Sequence, residues 1–430
     1  MALERRLSEA SHMPRFQRKW WTLTRFSFLA AIVLVALAIV ATSSESQTQS
    51  QNAQTLVPLT FFGMHLHRPA ANTWPAVPVG TWRFWDAHAA WPDMEVRRGQ
   101  WDFSYIDRYM NLADQNHTEI LFALGLTPRW ASSRPDEKSV YQPGWAAPPA
   151  DIQDWRDYVR TVVTHCKGRI HAYEIWNEPN YKVFWSGSTD ELLTLTKEAS
   201  AIIKSIDPQA IVVSPAATNT ASGPSWVNEF LSKGGGQYVD VIGYHFYVNA
   251  QPPEKMVASI NQIRQVMADN KVSGKPLWNT ETGWLKPSTF ESDEVAASYV
   301  ARSYLLAWSG GIQRFYWYAW DQGPPLALVD NTTHAITPAG KAYGVVQNWM
   351  VGARMNPCKQ DSDGFWSCEL IRGQVHQFVV WHPDGNKAFS VPAQWHIRTA
   401  TPLLDVSRPV KANSMDVGQA PVLFDPSASH

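Results

Sequence analysis

Two glutamates, Glu178 and Glu281, each close a short apolar run that reads straight into a polar turn. The runs are Tyr173-Glu174-Ile175-Trp176-Asn177-Glu178-Pro179-Asn180 and Pro276-Leu277-Trp278-Asn279-Thr280-Glu281-Thr282-Gly283-Trp284. A carboxylate at the C-terminal end of each of two buried strands is what a (β/α)8 barrel presents at its active face. Such a pair suits cleavage of a glycosidic bond, which needs one carboxyl to protonate the leaving oxygen and one to act as nucleophile or base. Carboxyl groups about 5–5.5 Å apart repel when both are charged, so one pKa is expected to rise while the other stays low. The plain alternative is two strand-end carboxylates bound by arginines. Glu174 shares the strand parity of Glu178 but lies deeper, where packing of the barrel interior is its expected use.

The elements needed to hold such a pair are legible around it. Strand signals fall at Thr60–His67, Gly80–Asp86, Glu119–Leu124, Ile170–Trp176, Ile211–Ser214, Val239–Tyr247, Pro276–Thr282 and Gln313–Trp320, alternating with helical patterns. Asp151 is the expected N-cap of a helix that buries Cys166, Ser188 and Glu191 form a capping box, and Thr337-Pro338 opens the last barrel helix. This alternation predicts a (β/α)8 TIM barrel over residues 57–352. Beyond Gly352, short strands separated by Gly, Pro, Asp and Asn predict an accessory β-sandwich over residues 353–430, whose missing N-terminal strands residues near Thr55 to Pro58 could supply. Cys358 and Cys368 could pair there in an oxidising compartment or stand as two free thiols on neighbouring strands. Trp130, in the long loop running to Ala150, is a candidate sugar-stacking platform, and Trp320 a candidate floor of a sugar pocket.

The Trp-Asn-Glu-Pro run at Glu178, followed by Thr-Glu-Thr-Gly-Trp at Glu281, resembles the retaining (β/α)8 glycoside hydrolases, and most closely glycoside hydrolase family 39. The resemblance covers roughly residues 57 to 350 and implies that Glu178 is the acid/base and Glu281 the nucleophile. It also implies that Arg83 stands beside the nucleophile, and that His245 and Tyr247 line the sugar site with the Tyr247 hydroxyl on Glu281. On that reading Glu281 carries the lowered pKa, helped by Arg83 and Tyr247, and Glu178 the raised one. Asn177 would bond the sugar 2-hydroxyl. The plain alternatives are a rim salt bridge for Arg83 and a satisfied buried His–Tyr pair. No metal or organic cofactor is expected, since both steps are proton and carboxylate chemistry and no Cys/His spacing resembles a zinc site.

Composition narrows the substrate and the compartment. With 45% hydrophobic residues in 430, the chain can bury a large core, and a net charge of −1 gives no global reason to bind nucleic acid. The aromatic content, with 22 Trp, offers flat faces for sugar rings, although core packing accounts for most of it. Basic residues in segment 1–25 precede an uncharged run over residues 26–41, expected to be a membrane anchor or a signal-peptide core, and residues 42–56 read as a flexible linker. The chain is therefore expected to be anchored in the inner membrane facing the periplasm, or secreted, as a retaining, endo-acting β-glycosidase that trims an extracellular or periplasmic polysaccharide or oligosaccharide, with polysaccharide export machinery a candidate partner. An exo-acting β-xylosidase or cellulase-like enzyme, and a non-catalytic carbohydrate-binding barrel, are the competing readings.

Overall fold

The computed structural model describes residues 52, 54–69, 74–249, 251–284, 290–321, 327–410 and 414–427. The expected basic segment and the membrane or signal run lie outside these residues. Among those described, no helix is long and apolar enough to cross a membrane. Of the expected linker only the end is described, and it is tied down. Asn52 is buried and donates its amide to the backbone oxygens of Trp308 and Ile312 at 3.2 and 3.4 Å.

Eight parallel strands form the barrel: β1 (Phe62–His65), β2 (Thr81–Phe84), β3 (Glu119–Leu124), β4 (Ala172–Ile175), β5 (Ile211–Val213), β6 (Ile242–His245), β7 (Leu277–Thr282) and β8 (Phe315–Trp317). They are hydrogen-bonded in the order β5-β4-β3-β2-β1-β8-β7-β6, and Ala217–Thr218, which follows β5, pairs with β6. A bridge between Val213 and Val241 joins the two ends and closes the sheet. Both faces of the strands are covered, as a parallel sheet wrapped in helices requires, and their residues are buried in continuous runs rather than alternately.

The barrel interior is layered. Leu121, Ala172, Val213, Val241, Trp278 and Tyr316 form an apolar plug. His65, Arg83, Glu174, His245 and Asn279 also come from the strands and are likewise fully buried, but they are polar. The chemistry therefore stands on a dry base.

Helices follow the strands from β2 onward: α1 (Ser104–Gln115), α2 (Ile152–His165), α3 (Thr189–Ile206), α4 (Gly223–Ser232), α5 (Lys255–Asp269), α6 (Asp293–Ser309) and α7 (Pro338–Met350). The link from β1 to β2 carries no helix among the described residues, which departs from the eightfold alternation expected. The caps form as their chemistry requires: Asp151 accepts from the Gln153 amide, Ser188 and Glu191 bond each other reciprocally, and Thr337 accepts from the Gly340 amide. Cys166 closes α2 as a buried thiol, its pKa pushed up to about 12 by burial.

The C-terminal strands are lopsided as a sandwich. Seven of them make one sheet, and a two-stranded ribbon, Lys387–Ser390 with Ser414–Val417, covers part of one face. Phe378, Val380 and Phe424 of the sheet pack there on Phe389 and Val417 of the ribbon. The other face, with Cys368, Leu370, Val379 and Trp381, joins the core of the barrel itself. Helix α6 lies in that shared core, which is why it is buried on every side from Ala296 to Trp308. Trp381 and Arg302 both donate to Glu254 Oε1, at 2.7 and 3.0 Å, across the junction. Cys358 and Cys368 are joined by a disulfide. Leu56 pairs with Arg354, so the segment just before the barrel does add to this sheet.

Candidate active site

Glu178 owes its position to an unusual stretch of backbone after β4. Trp176 and Glu178 both adopt left-handed conformations, with φ of 75° and 45°, where glycine is the usual occupant. Each costs roughly 1–2 kcal/mol, and local contacts hold them. Trp176 is fully buried, donates Nε1 to the Phe184 oxygen at 2.8 Å and packs edge-on against Trp185, while the Glu178 amide bonds the Ala216 oxygen at 2.9 Å. Glu281 arrives more simply, as the fifth residue of β7.

The two carboxyl groups meet. One atom from each of Glu178, His245 and Glu281 lies within 4.8 Å of the others. So close an approach of their oxygens is in keeping with the carboxyl separation of about 5–5.5 Å used for direct attack rather than the gap of about 6.5–9.5 Å that an intervening water needs. Both side chains are almost wholly buried, with 8% and 7% exposure.

Arg83 organises the floor of the site. Its Nε donates to Glu174 at 2.6 Å, Nη1 to Glu281 Oε2 at 2.9 Å and Nη2 to Asn177 Oδ1 at 2.7 Å, all at zero exposure of the arginine. Tyr247 donates its hydroxyl to Glu281 Oε1 at 2.9 Å, and His245 Nδ1 lies 3.0 Å from Glu178 Oε1. Asn177 thus has its oxygen committed to Arg83, which leaves its Nδ2 as a donor. Glu174, expected to be interior packing, is instead the second carboxylate on Arg83.

Burial overturns one expectation. Burial pushes Glu281 up to about 7 rather than letting it fall, because desolvation outweighs the pull of the Arg83 guanidinium and the Glu178 charge adds to the rise. The single charge of Arg83 is divided between Glu174 and Glu281. Glu178 is also raised to about 7, again by burial first, against opposing contributions from Thr218 and Arg83. Which of the pair holds the proton follows from their partners. Glu281 has a guanidinium and a phenol donating to it, whereas Glu178 faces an imidazole that burial lowers to about 4 and so keeps uncharged. The anion is favoured on Glu281 and the proton on Glu178.

Glu178, His245 and Glu281 are, among the described residues, the group whose donor atoms gather closely enough to hold a metal ion. The guanidinium already bonded to Glu281 places a fixed positive charge there, which suits an acid–nucleophile pair better than a cation.

The aromatic candidates part company. Trp320 is buried just past β8, its backbone amide bonded to the His65 oxygen and its Nε1 without a partner. Trp130 is half-buried at a depression of its own. Arg98 covers its ring at 4.9 Å, its Nε1 bonds the Glu95 oxygen, and it lines a shallow depression with Pro92, Val96, Arg129 and Trp145. Its loop also carries Tyr141 and Trp145, which line a cavity of about 520 Å³ walled by Trp85 and Asp86. Asp86, Tyr141 and Tyr318 escaped the sequence reading because their partnership spans three separate loops.

Residues 86–309 match glycosyl hydrolases family 39. The chain belongs to that family. It is 26% identical over 230 residues to a β-xylosidase of Geobacillus stearothermophilus, an alignment covering 47% of this chain and 45% of the relative, so it spans less than half the length of that protein. A solved family 39 glycoside hydrolase from the gut symbiont Bacteroides cellulosilyticus superimposes with a TM-score of 0.69 at 17% identity, over 86% of this chain and 81% of that one. A family 39 β-xylosidase from Caulobacter crescentus gives 0.63 at 18% identity, over 86% and 97%. At these identities the two structures speak for the fold alone.

Proposed function

We propose that this protein is a retaining β-glycoside hydrolase that works by double displacement, with endo action on an extracellular or periplasmic polysaccharide. The observation that carries the reading is the convergence of Glu178 and Glu281 within 4.8 Å, one on a neutral imidazole and the other on Arg83 and Tyr247. Glu281, ionised, attacks the anomeric carbon while Glu178 gives its proton to the departing glycosidic oxygen. Glu178 then takes a proton from water as that water attacks the glycosyl-enzyme, releasing the sugar and restoring Glu281. Asn177 Nδ2 is offered to the sugar 2-hydroxyl, where a bond strengthens as positive charge grows on the ring.

Endo action draws support from the cavity of about 520 Å³, where Trp85, Tyr141 and Trp145 offer flat faces on which further sugar units could rest. The second reading, an exo-acting β-xylosidase, is favoured by the names of the relatives. A disulfide, the basic segment and the uncharged run at residues 26–41 support a place on the outer side of a membrane, beside machinery that exports polysaccharide.

The test is Glu178→Ala with an activated aryl β-glycoside. Added azide should restore turnover and yield the β-glycosyl azide, because the glycosyl-enzyme still forms and lacks only its base. Recovery of an α-azide, or no rescue in a protein whose wild type is active, refutes the assignment. Glu281→Gln should abolish turnover and keep glycan binding; a wild type that binds glycan without cleaving any substrate would make the barrel a lectin. Product sizes from xylo-oligosaccharides separate endo from exo action.

A further inference from the structure

A cavity of about 520 Å³, walled by residues that follow β2 and by the loop after β3, carries an acid that the proposed reaction does not use, and the charge of that acid, Asp86, is felt at both Glu178 and Glu281. Asp86 follows β2 with φ of 55°, a left-handed conformation that Asp tolerates better than most residues. Its carboxylate is exposed, yet held in place. Tyr318 donates its hydroxyl to Oδ2 at 2.7 Å and Tyr141 donates to Oδ1. Tyr318 comes from just beyond β8 and Tyr141 from the loop after β3, so two distant loops fix one side chain. Trp85 joins this wall to the reaction centre, since the Arg83 guanidinium that grips Glu281 lies 5.7 Å from its ring.

The clamp itself offers acceptors only. With both phenol hydrogens committed to Asp86, the Tyr141 and Tyr318 oxygens have only lone pairs left, and an ionised carboxylate can only accept. No Lys or Arg is among the described residues lining the cavity. Arg83 beneath it is fully buried and spends its donors on Glu174, Glu281 and Asn177. The cavity also contains a second acid, Asp93. A sugar entering beside Trp85 and Trp145 meets flat aromatic faces, the fixed negative charge of Asp86 and the side chains of His88 and Gln142, with no Lys or Arg to receive a carboxylate.

We propose that Asp86, clamped by Tyr141 and Tyr318, makes this cavity a sugar subsite that admits hydroxyl-bearing neutral units and rejects uronic acids. The inference rests on the glycosidase reading and specifies its substrate class. Like charges brought together at a partly screened site cost enough to shift binding by about tenfold or more.

The experiment measures binding by calorimetry in the Glu281→Gln background, where no turnover intervenes, using xylotetraose and xylotetraose carrying one glucuronic acid branch. The full chain with Asp86 intact should prefer the neutral ligand by at least about tenfold, and Asp86→Asn should bring the two affinities within about twofold to threefold of each other. Asp86→Glu, which keeps the charge, should preserve most of the preference and shows that any loss is not general misfolding. Equal binding of both ligands with Asp86 present overturns the proposal, as does a preference that Asp86→Asn leaves unchanged, or no binding of xylotetraose. Failure of wild type to cleave any aryl β-glycoside would defeat the reaction instead, and calorimetry would still report on the subsite.

Discussion

Glu178 is buried in a place that suits its neutral form, and this makes the site a measurable weakness of the fold. Its pKa rises from 4.5 to about 7, chiefly through burial. Between those two pH values the unfolded chain has released the proton and the folded chain has kept it, so stability falls as pH rises through the window. Above about 7 the cost is complete; below 4.5 it vanishes. At about 1.4 kcal/mol per unit the penalty at pH 8 is about 3 kcal/mol. Glu178→Gln removes it while keeping an oxygen to face His245, so the variant should be more stable than wild type at pH 8 and little different at pH 4. For a chain of this size the gap in melting temperature should be roughly 5 °C. Thermal unfolding followed by circular dichroism at both pH values checks this. A difference between the two proteins that does not grow with pH would refute the claim that burial strains this carboxylate.

Other consequences can be measured alongside. The pH profile of kcat/KM should be a bell whose alkaline limb falls through about 7, where Glu178 surrenders its proton, and a profile flat to pH 9 would contradict that role. Glu174→Gln should return the whole Arg83 charge to Glu281, moving the acidic limb to lower pH; an unmoved limb with lost activity would mean a purely structural part for Glu174. Arg83→Lys should lower kcat by about 10²-fold or more, because one ammonium cannot bond Glu174, Glu281 and Asn177 together. Replacing Cys358 by Ser should cost about 3 kcal/mol, the loop-closure value for a ten-residue separation, read as a lower melting temperature that reductant no longer changes.

The residue order by itself was enough to place the strands and caps and to single out Glu178 and Glu281, because each of these is a local matter. Apolar runs end at turn residues, Asp151, Ser188 and Thr337 offer oxygens to the next amides, and both glutamates stand where runs stop. Arg83, His245 and Tyr247 were reachable only through a family likeness, since nothing in their own neighbourhoods says what they touch. What tertiary structure alone decided was how charge is shared. The bond from Arg83 to Glu174 spans strands β2 and β4, the Asp86 clamp joins three loops, and Tyr141 of the long loop lines the Asp86 cavity while Trp130 of the same loop lines a separate depression. The pKa of Glu281 depends on all of its neighbours at once, and above all on how little water reaches it, a property that no stretch of chain carries until the barrel has closed.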